Sequence, residues 1–175
     1  MHCTIKTGSK ENLLKIDIEG NATWETAHHF FNFVKKLISE GKNKILIDLK
    51  NCNFLDSTYF GVLAEMFETA NETNAVQMFI TNENEKVKEE IETLGLDQIL
   101  NFATEEIKKE FENIKTTPHS FDDSYSKIQK AKQILKAHQT LERLNEENKE
   151  EFRDVIDSLQ EFIKNNEEDS NIKEF

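Results

Sequence analysis

Proline is nearly missing: Pro118 is the only one in 175 residues. The five glycines are spread thinly and form neither a phosphate-cradling loop nor a dinucleotide fingerprint. Cys3 and Cys52 are the only thiols, too few for a disulfide framework and wrongly spaced for a zinc site. No span approaches the roughly twenty apolar residues that cross a bilayer, and no apolar run follows a basic start. A cytoplasmic protein is expected. Positive charge is also short, with 22 Lys and Arg against 34 Asp and Glu and a formal net charge of −12. That balance opposes phosphate backbones and anionic headgroups, because counterion release needs clustered cations. Any control of transcription therefore has to run through a protein partner, without direct nucleic-acid or membrane contact.

What is present is enough for a packed core: 37% of residues are apolar and thirteen are Phe. Leu14, Ile16 and Ile18 alternate with Lys15, Asp17 and Glu19, the period of a strand with one dry face. Cys3 and Ile5 suggest a shorter strand before it, joined through a turn at Gly8 to Asn12. From Thr23 the period changes. Ala27, Phe30, Phe31, Val34, Leu37 and Ile38 line one side of a helix, with Thr23 and Thr26 available at its start and Gly41 after its end. Ile45 to Leu49 is a nearly continuous apolar run, as expected for a strand covered on both faces.

Helix and strand then repeat. Leu63, Met66, Phe67 and Ala70 share a side of a helix over Tyr59 to Ala70, and Val76 to Ile80 is the next strand. Asn82 or Asn84 caps a helix carrying Val87, Ile91 and Leu94, closed by Gly95. Ile99 to Phe102 predicts a short last strand, and Thr104 caps a helix with Ile107, Phe111 and Ile114. The order β-β-α-β-α-β-α-β-α specifies an α/β fold, with a mixed but mainly parallel sheet, an opening hairpin and helical crossovers. The segment from Lys115 to Ser120, around Pro118, reads as a linker.

Beyond it, Ile128, Ala131, Ile134, Leu135, Leu141 and Leu144 mark one helix. Phe152, Val155, Ile156, Leu159, Phe162 and Ile163 mark another, started by Asn145 or Asn148. An αα-hairpin is the simplest arrangement. Its apolar stripes require burial against the first domain, against each other, or in a homodimer. The acidic tail after Asn165 is expected to fray.

One segment carries more than fold information. In Ile45-Leu46-Ile47-Asp48-Leu49-Lys50-Asn51-Cys52-Asn53-Phe54-Leu55-Asp56-Ser57-Thr58, an apolar strand ends in Asp-Leu, turns, and opens a helix with Asp-Ser-Thr. This resembles the STAS domains of anti-sigma factor antagonists. Glu19-Gly20, Leu94-Gly95-Leu96 and Thr104-Glu105-Glu106 support the resemblance, which spans about two thirds of the chain. It implies a STAS domain over residues 1–115 followed by a helical extension over 119–175, with no enzymatic activity and no cofactor.

By the same resemblance Ser57 is the phosphoacceptor, with Thr58 as the second choice. Asp56, Ser57, Thr58, Tyr59 and Asn21 would contact the partner. That partner would be an anti-sigma factor that is itself a Ser/Thr kinase of the histidine-kinase-like ATPase type, and a PP2C-type phosphatase would reset the cycle. Chemistry agrees: a helix N-terminus tolerates an anion, and phosphorylation adds about −1.5 to −2 charges beside Asp56. The competing role for Ser57 is a plain helix N-cap. The family usually has Gly where Tyr59 stands, so Tyr59 either blocks a close approach or serves as an aromatic anchor. A non-phosphorylated STAS adaptor or scaffold in a signalling or transport complex is the other reading.

Other residues point nowhere in particular. His28 and His29 are adjacent on a helix and cannot chelate together, and His2, His119 and His138 are scattered. Asp48 and Asp56 lack the companions of a receiver-domain acidic pocket. No Ser-His-Asp or Cys-His order stands out.

Overall fold

The computed structural model describes residues 2–121 and 124–172, with side chains as far as Glu167. Strand β1 (Thr4–Lys10) turns at Glu11, in the left-handed region at φ 53°, into β2 (Leu13–Ala22). The two pair antiparallel from Thr4↔Glu19 to Lys10↔Leu13. Alternation along β2 is as the sequence predicts, with Leu14, Ile16 and Ile18 enclosed. Helix α1 (Trp24–Ser39) follows, and then β3 (Lys44–Asp48) lies parallel to β2. After α2 (Ser57–Thr73), β5 (Gln77–Thr81) lies parallel to β3. Helix α3 (Glu85–Thr93) is capped by Asn84 and closed by Gly95 at φ 73°; α4 (Glu105–Phe111) is capped by Thr104.

Three expectations change. Residues assigned to a turn form β4 (Cys52–Leu55), parallel to the end of β2. Four residues are too few to show a period, and Cys52 and Leu55 face inward while Asn53 and Phe54 do not. The predicted strand at Ile99 to Phe102 shrinks to a single bridge, Phe102 to Ile80. The predicted linker is paired: β6 (Thr117–Pro118) runs antiparallel to β1, and the His119 N–H donates to the Ile5 carbonyl at 2.8 Å. An edge position suits a proline, which has no N–H to give. Gly8 is needed there, because a Cβ would stand 2.1 Å from the Lys115 carbonyl oxygen. The sheet order is β5-β3-β2-β1-β6, with β4 attached to β2.

The main core joins the sheet to Phe30, Val34, Leu63 and Phe67 of α1 and α2. Leu46, between Ile45 and Ile47 on β3, faces the other way and packs with Phe111 and Ile114. The C-terminal hairpin consists of α5 (Lys127–Glu142) and α6 (Glu146–Ile172). Ser126 and Gln129 form a capping box on α5, and Asn145 accepts the Asn148 N–H at the start of α6. Within this chain α5 packs on α2 and α6 packs on α5. The helix also continues through the stretch predicted to fray, as far as Ile172, and the last three residues of that tail lie outside the described residues. Among the described residues no helix is long and apolar enough to cross a membrane.

Candidate functional site

The site forms where β2 and β4 end side by side and two helices begin. The Asp56 N–H donates to the Ala22 carbonyl at 3.0 Å, which brings Asn21, Asp56 and Ser57 to one end of the sheet. Asp56 is the N-cap of α2. One carboxylate oxygen accepts the Tyr59 N–H at 2.9 Å, and the other accepts the Trp24 N–H, the first of α1, at 2.7 Å. A single side chain thus satisfies orphan donors at two helix starts. Burial pushes its carboxyl pKa up, and the bonds from Tyr59 and Trp24 pull back against that.

The capping role considered for Ser57 therefore belongs to Asp56, and Ser57 is the first residue inside the helix. Its hydroxyl is half-buried and lies 3.0 Å from Nε2 of His138 on α5. The ring's Nδ1 is 2.9 Å from the Ile134 carbonyl, which can only accept, so Nδ1 carries the proton. Nε2 is then the acceptor and the Ser57 hydroxyl donates. Burial holds the His138 pKa below its ordinary value, against the opposing effects of the Ile134 carbonyl and of Asp56, which favours this neutral ring. Phe152 of α6 lies against the ring, centroids 5.2 Å apart.

The other expected site residues separate. Asn21 is half-buried, whereas Thr58 is 4% exposed and Tyr59 is fully enclosed, its ring 5.2 Å from that of Phe30. Tyr59 neither blocks an approach nor offers an anchor in this arrangement. It fills core volume. Asp48 belongs to another network: it accepts from Asn82 at 2.9 Å and from the Lys50 N–H at 3.0 Å, and it lies 3.7 Å from the Lys15 ammonium.

Sequence reasoning passed over His138 and the rest of the α5 contact. Gln133 donates to Glu65 at 3.2 Å, Lys136 pairs with the same carboxylate, and Arg143 pairs with Glu68 at 3.1 Å. A Cβ on Gly61 would stand 2.3 Å from the Ala137 carbonyl oxygen. The signal was available in α2. Residues 58–67 are all buried, and Phe60-Gly61-Val62-Leu63-Ala64 is apolar around the whole helix, which demands cover on more than one side. His29 is likewise enclosed, stacked against Phe121 at 5.7 Å. Cys52 is a buried thiol whose pKa is pushed up to about 11, as suits a small hydrophobe.

The family described as "STAS domain" matches residues 4–113. Among solved structures, the Thermotoga maritima protein TM1081 is 22% identical over 59% of this chain and 90% of its own, with a TM-score of 0.53. An anti-sigma factor antagonist from Mycobacterium paratuberculosis is 17% identical over 60% of this chain and 89% of its own, TM-score 0.52. The anti-sigma factor antagonist SpoIIAA, in its unphosphorylated form, is 18% identical over 61% and 93%, TM-score 0.52. No curated protein sequence matches the chain.

Proposed function

Because the chain belongs to the STAS domain family, we propose that it is an anti-sigma factor antagonist-like regulatory protein, switched off by phosphorylation of Ser57. The carrying observation is that Ser57 sits in the first turn of α2 with its hydroxyl unspent on capping, since Asp56 does that work. The proposed partner is an anti-sigma factor that is also a Ser/Thr kinase of the histidine-kinase-like ATPase type. It transfers the γ-phosphoryl group of ATP to the Ser57 oxygen, the hydroxyl proton passing to the kinase and ADP leaving. A PP2C-type phosphatase returns the hydroxyl. On this reading residues 1–115 are the switch domain, residues 119–175 are its extension, and the protein works in the cytoplasm.

The dianion arrives beside the half-buried Asp56 carboxyl on a chain of net charge −12. Repulsion worth only about 1.4 kcal/mol weakens a contact tenfold. The test is incubation with the candidate kinase and ATP, followed by mass-spectrometric mapping of the modified site. Phosphate at Ser57 and loss of kinase binding in Ser57→Asp are expected; an unmodified Ser57, where a control antagonist is fully modified, refutes the proposal.

A second reading, a non-phosphorylated adaptor or scaffold, is favoured by the His138 bond that already occupies the hydroxyl. Recovery of the same transport or signalling subunits by wild type and Ser57→Asp alike would select it.

A further inference from the structure

The proposed switch residue lies under its own chain's C-terminal hairpin. We propose that α5 and α6 form an autoinhibitory cover, latched on Ser57 by His138, which must lift before a kinase or partner can reach the amino end of α2. The consequence for switching rests on the reading of Ser57 given above; the cover itself rests on geometry.

Five sets of contacts define it. His138 takes the Ser57 hydroxyl proton into a hydrogen bond, so the nucleophilic oxygen faces a ring and not a nucleotide. Behind the latch, Ala137 and Leu141 are fully enclosed, and the Ala137 backbone rests directly on Gly61. Around the rim, Lys136 and Arg143 neutralise Glu65 and Glu68 of α2. The far end is pinned by Asn148, whose side-chain amide donates to the Leu94 and Leu141 carbonyls at 3.0 and 2.9 Å. Tyr125, close before α5, stands edge-on to His28 of α1 at 4.1 Å.

The closed state and a phosphate on Ser57 exclude each other. A phosphorus bonded to Oγ would enter the 3.0 Å space now shared with His138, where the ring presents a lone pair to the dianion. Phosphorylation therefore requires prior opening, and a phosphorylated chain cannot relatch in the same way. Partner binding and cover closure compete for one surface.

The test uses the full chain carrying Cys3→Ser and Ser57→Cys, with iodoacetamide as the probe and mass spectrometry as the readout; Cys52 is 2% exposed and silent. Ala137→Leu drives a wedge between α5 and α2 while leaving residues 4–113 otherwise as they are in the parent. Labelling at position 57 is expected to quicken about tenfold or more in the wedge variant, as a local opening becomes populated. Amide exchange should rise over 127–142 and stay slow in β2 and β3. Should Ala137→Leu fail to fold, Lys136→Glu with Arg143→Glu replaces two rim attractions by repulsions and is expected to give the same direction of change. A parent thiol already labelled as fast as in either opened variant overturns the cover. No kinase is involved, so that result would leave Ser57 standing as a phosphoacceptor; equally, a Ser57 that no kinase modifies would leave the cover intact.

Discussion

Gly61→Ala discriminates sharply between a docked α5 and an undocked one, because the two predict opposite signs. Gly61 is inside α2, where alanine is intrinsically better by about 1 kcal/mol. With α2 otherwise uncovered at this point, the substitution would stabilise the protein by about that amount. In the packed structure the new methyl would lie 2.3 Å from the Ala137 carbonyl oxygen, whereas ordinary contact starts at 3.4 Å. The obstacle is backbone, which no rotamer change can move, so α5 has to retreat by about 1 Å, a gap that forfeits a quarter to a half of each close dispersion contact. Overpacking of this kind costs about 1–3 kcal/mol, and a rigid neighbour puts the cost near the top of that range. Subtracting the propensity gain leaves a net loss of about 2 kcal/mol. Urea unfolding followed by circular dichroism reads the sign directly, and amide exchange should place the loosening in 127–142. A variant more stable than wild type would refute the packing of α5 on α2.

Other perturbations read other parts of the site. Asp56→Ala removes the caps of two helices and should cost about 2–3 kcal/mol, while Asp56→Asn keeps one acceptor and should cost about 1 kcal/mol, both by urea midpoint; equal losses would show that the acceptor kept by Asn contributes nothing. Burial lowers the pKa of His138, and burial with the neighbouring His29 and Lys130 lowers that of His28. The unfolded chain then binds more protons below the ordinary histidine value of 6.5, so stability should fall as pH drops through it and level off below the folded values. Asp56, raised from 3.8, works in the opposite direction in a more acidic window. Urea midpoints measured from about pH 7.5 to about pH 5.5 should decline in wild type and flatten in His28→Asn with His138→Gln; a flat wild-type profile would contradict the burial of both rings.

Most of the fold was legible because its signals are local. Period two in β2, the apolar stripe of α1, the cap-and-stripe patterns of α3 and α4, and Gly95 at a helix end each report on a few neighbouring residues, whereas Thr23 gives α1 no side-chain cap and the remote Asp56 takes that part. Failures came where a contact partner is remote in sequence. β4 is a strand only because the end of β2 is there to pair with it, and Thr117–Pro118 becomes an edge strand only because β1 is open beside it. Tyr59 looked like a surface residue by its place next to Asp-Ser-Thr, yet helical geometry turns the third residue of α2 inward onto Phe30. The pairing of Ser57 with His138 spans 81 residues, and no spacing rule connects them. Only the all-round apolarity of α2 hinted that something else must cover it.

The energetics of the cover also separate what holds it from what addresses it. A neutral hydroxyl–imidazole bond contributes about 0.5–1.5 kcal/mol net, and exposed ion pairs such as Arg143–Glu68 less than about 1. Burial of Leu141, Phe152 and Ile156 contributes about 1.5–3 kcal/mol for each side chain, so the apolar seam supplies most of the closing free energy. The His138 latch does little to strengthen closure; it determines which atom is hidden. A partner must then bind with enough excess to open the seam, since its apparent affinity is divided by the open fraction. Under the proposed switching, phosphate need not overcome the seam either, because it acts only on chains already open and removes the Ser57–His138 bond from the polar contacts that guide relatching. On the proposed reading the extension sets the threshold of the switch without changing the phosphoryl transfer itself. Substitutions in the seam should shift how much partner is required, while substitutions at Ser57 should change whether the partner is released at all.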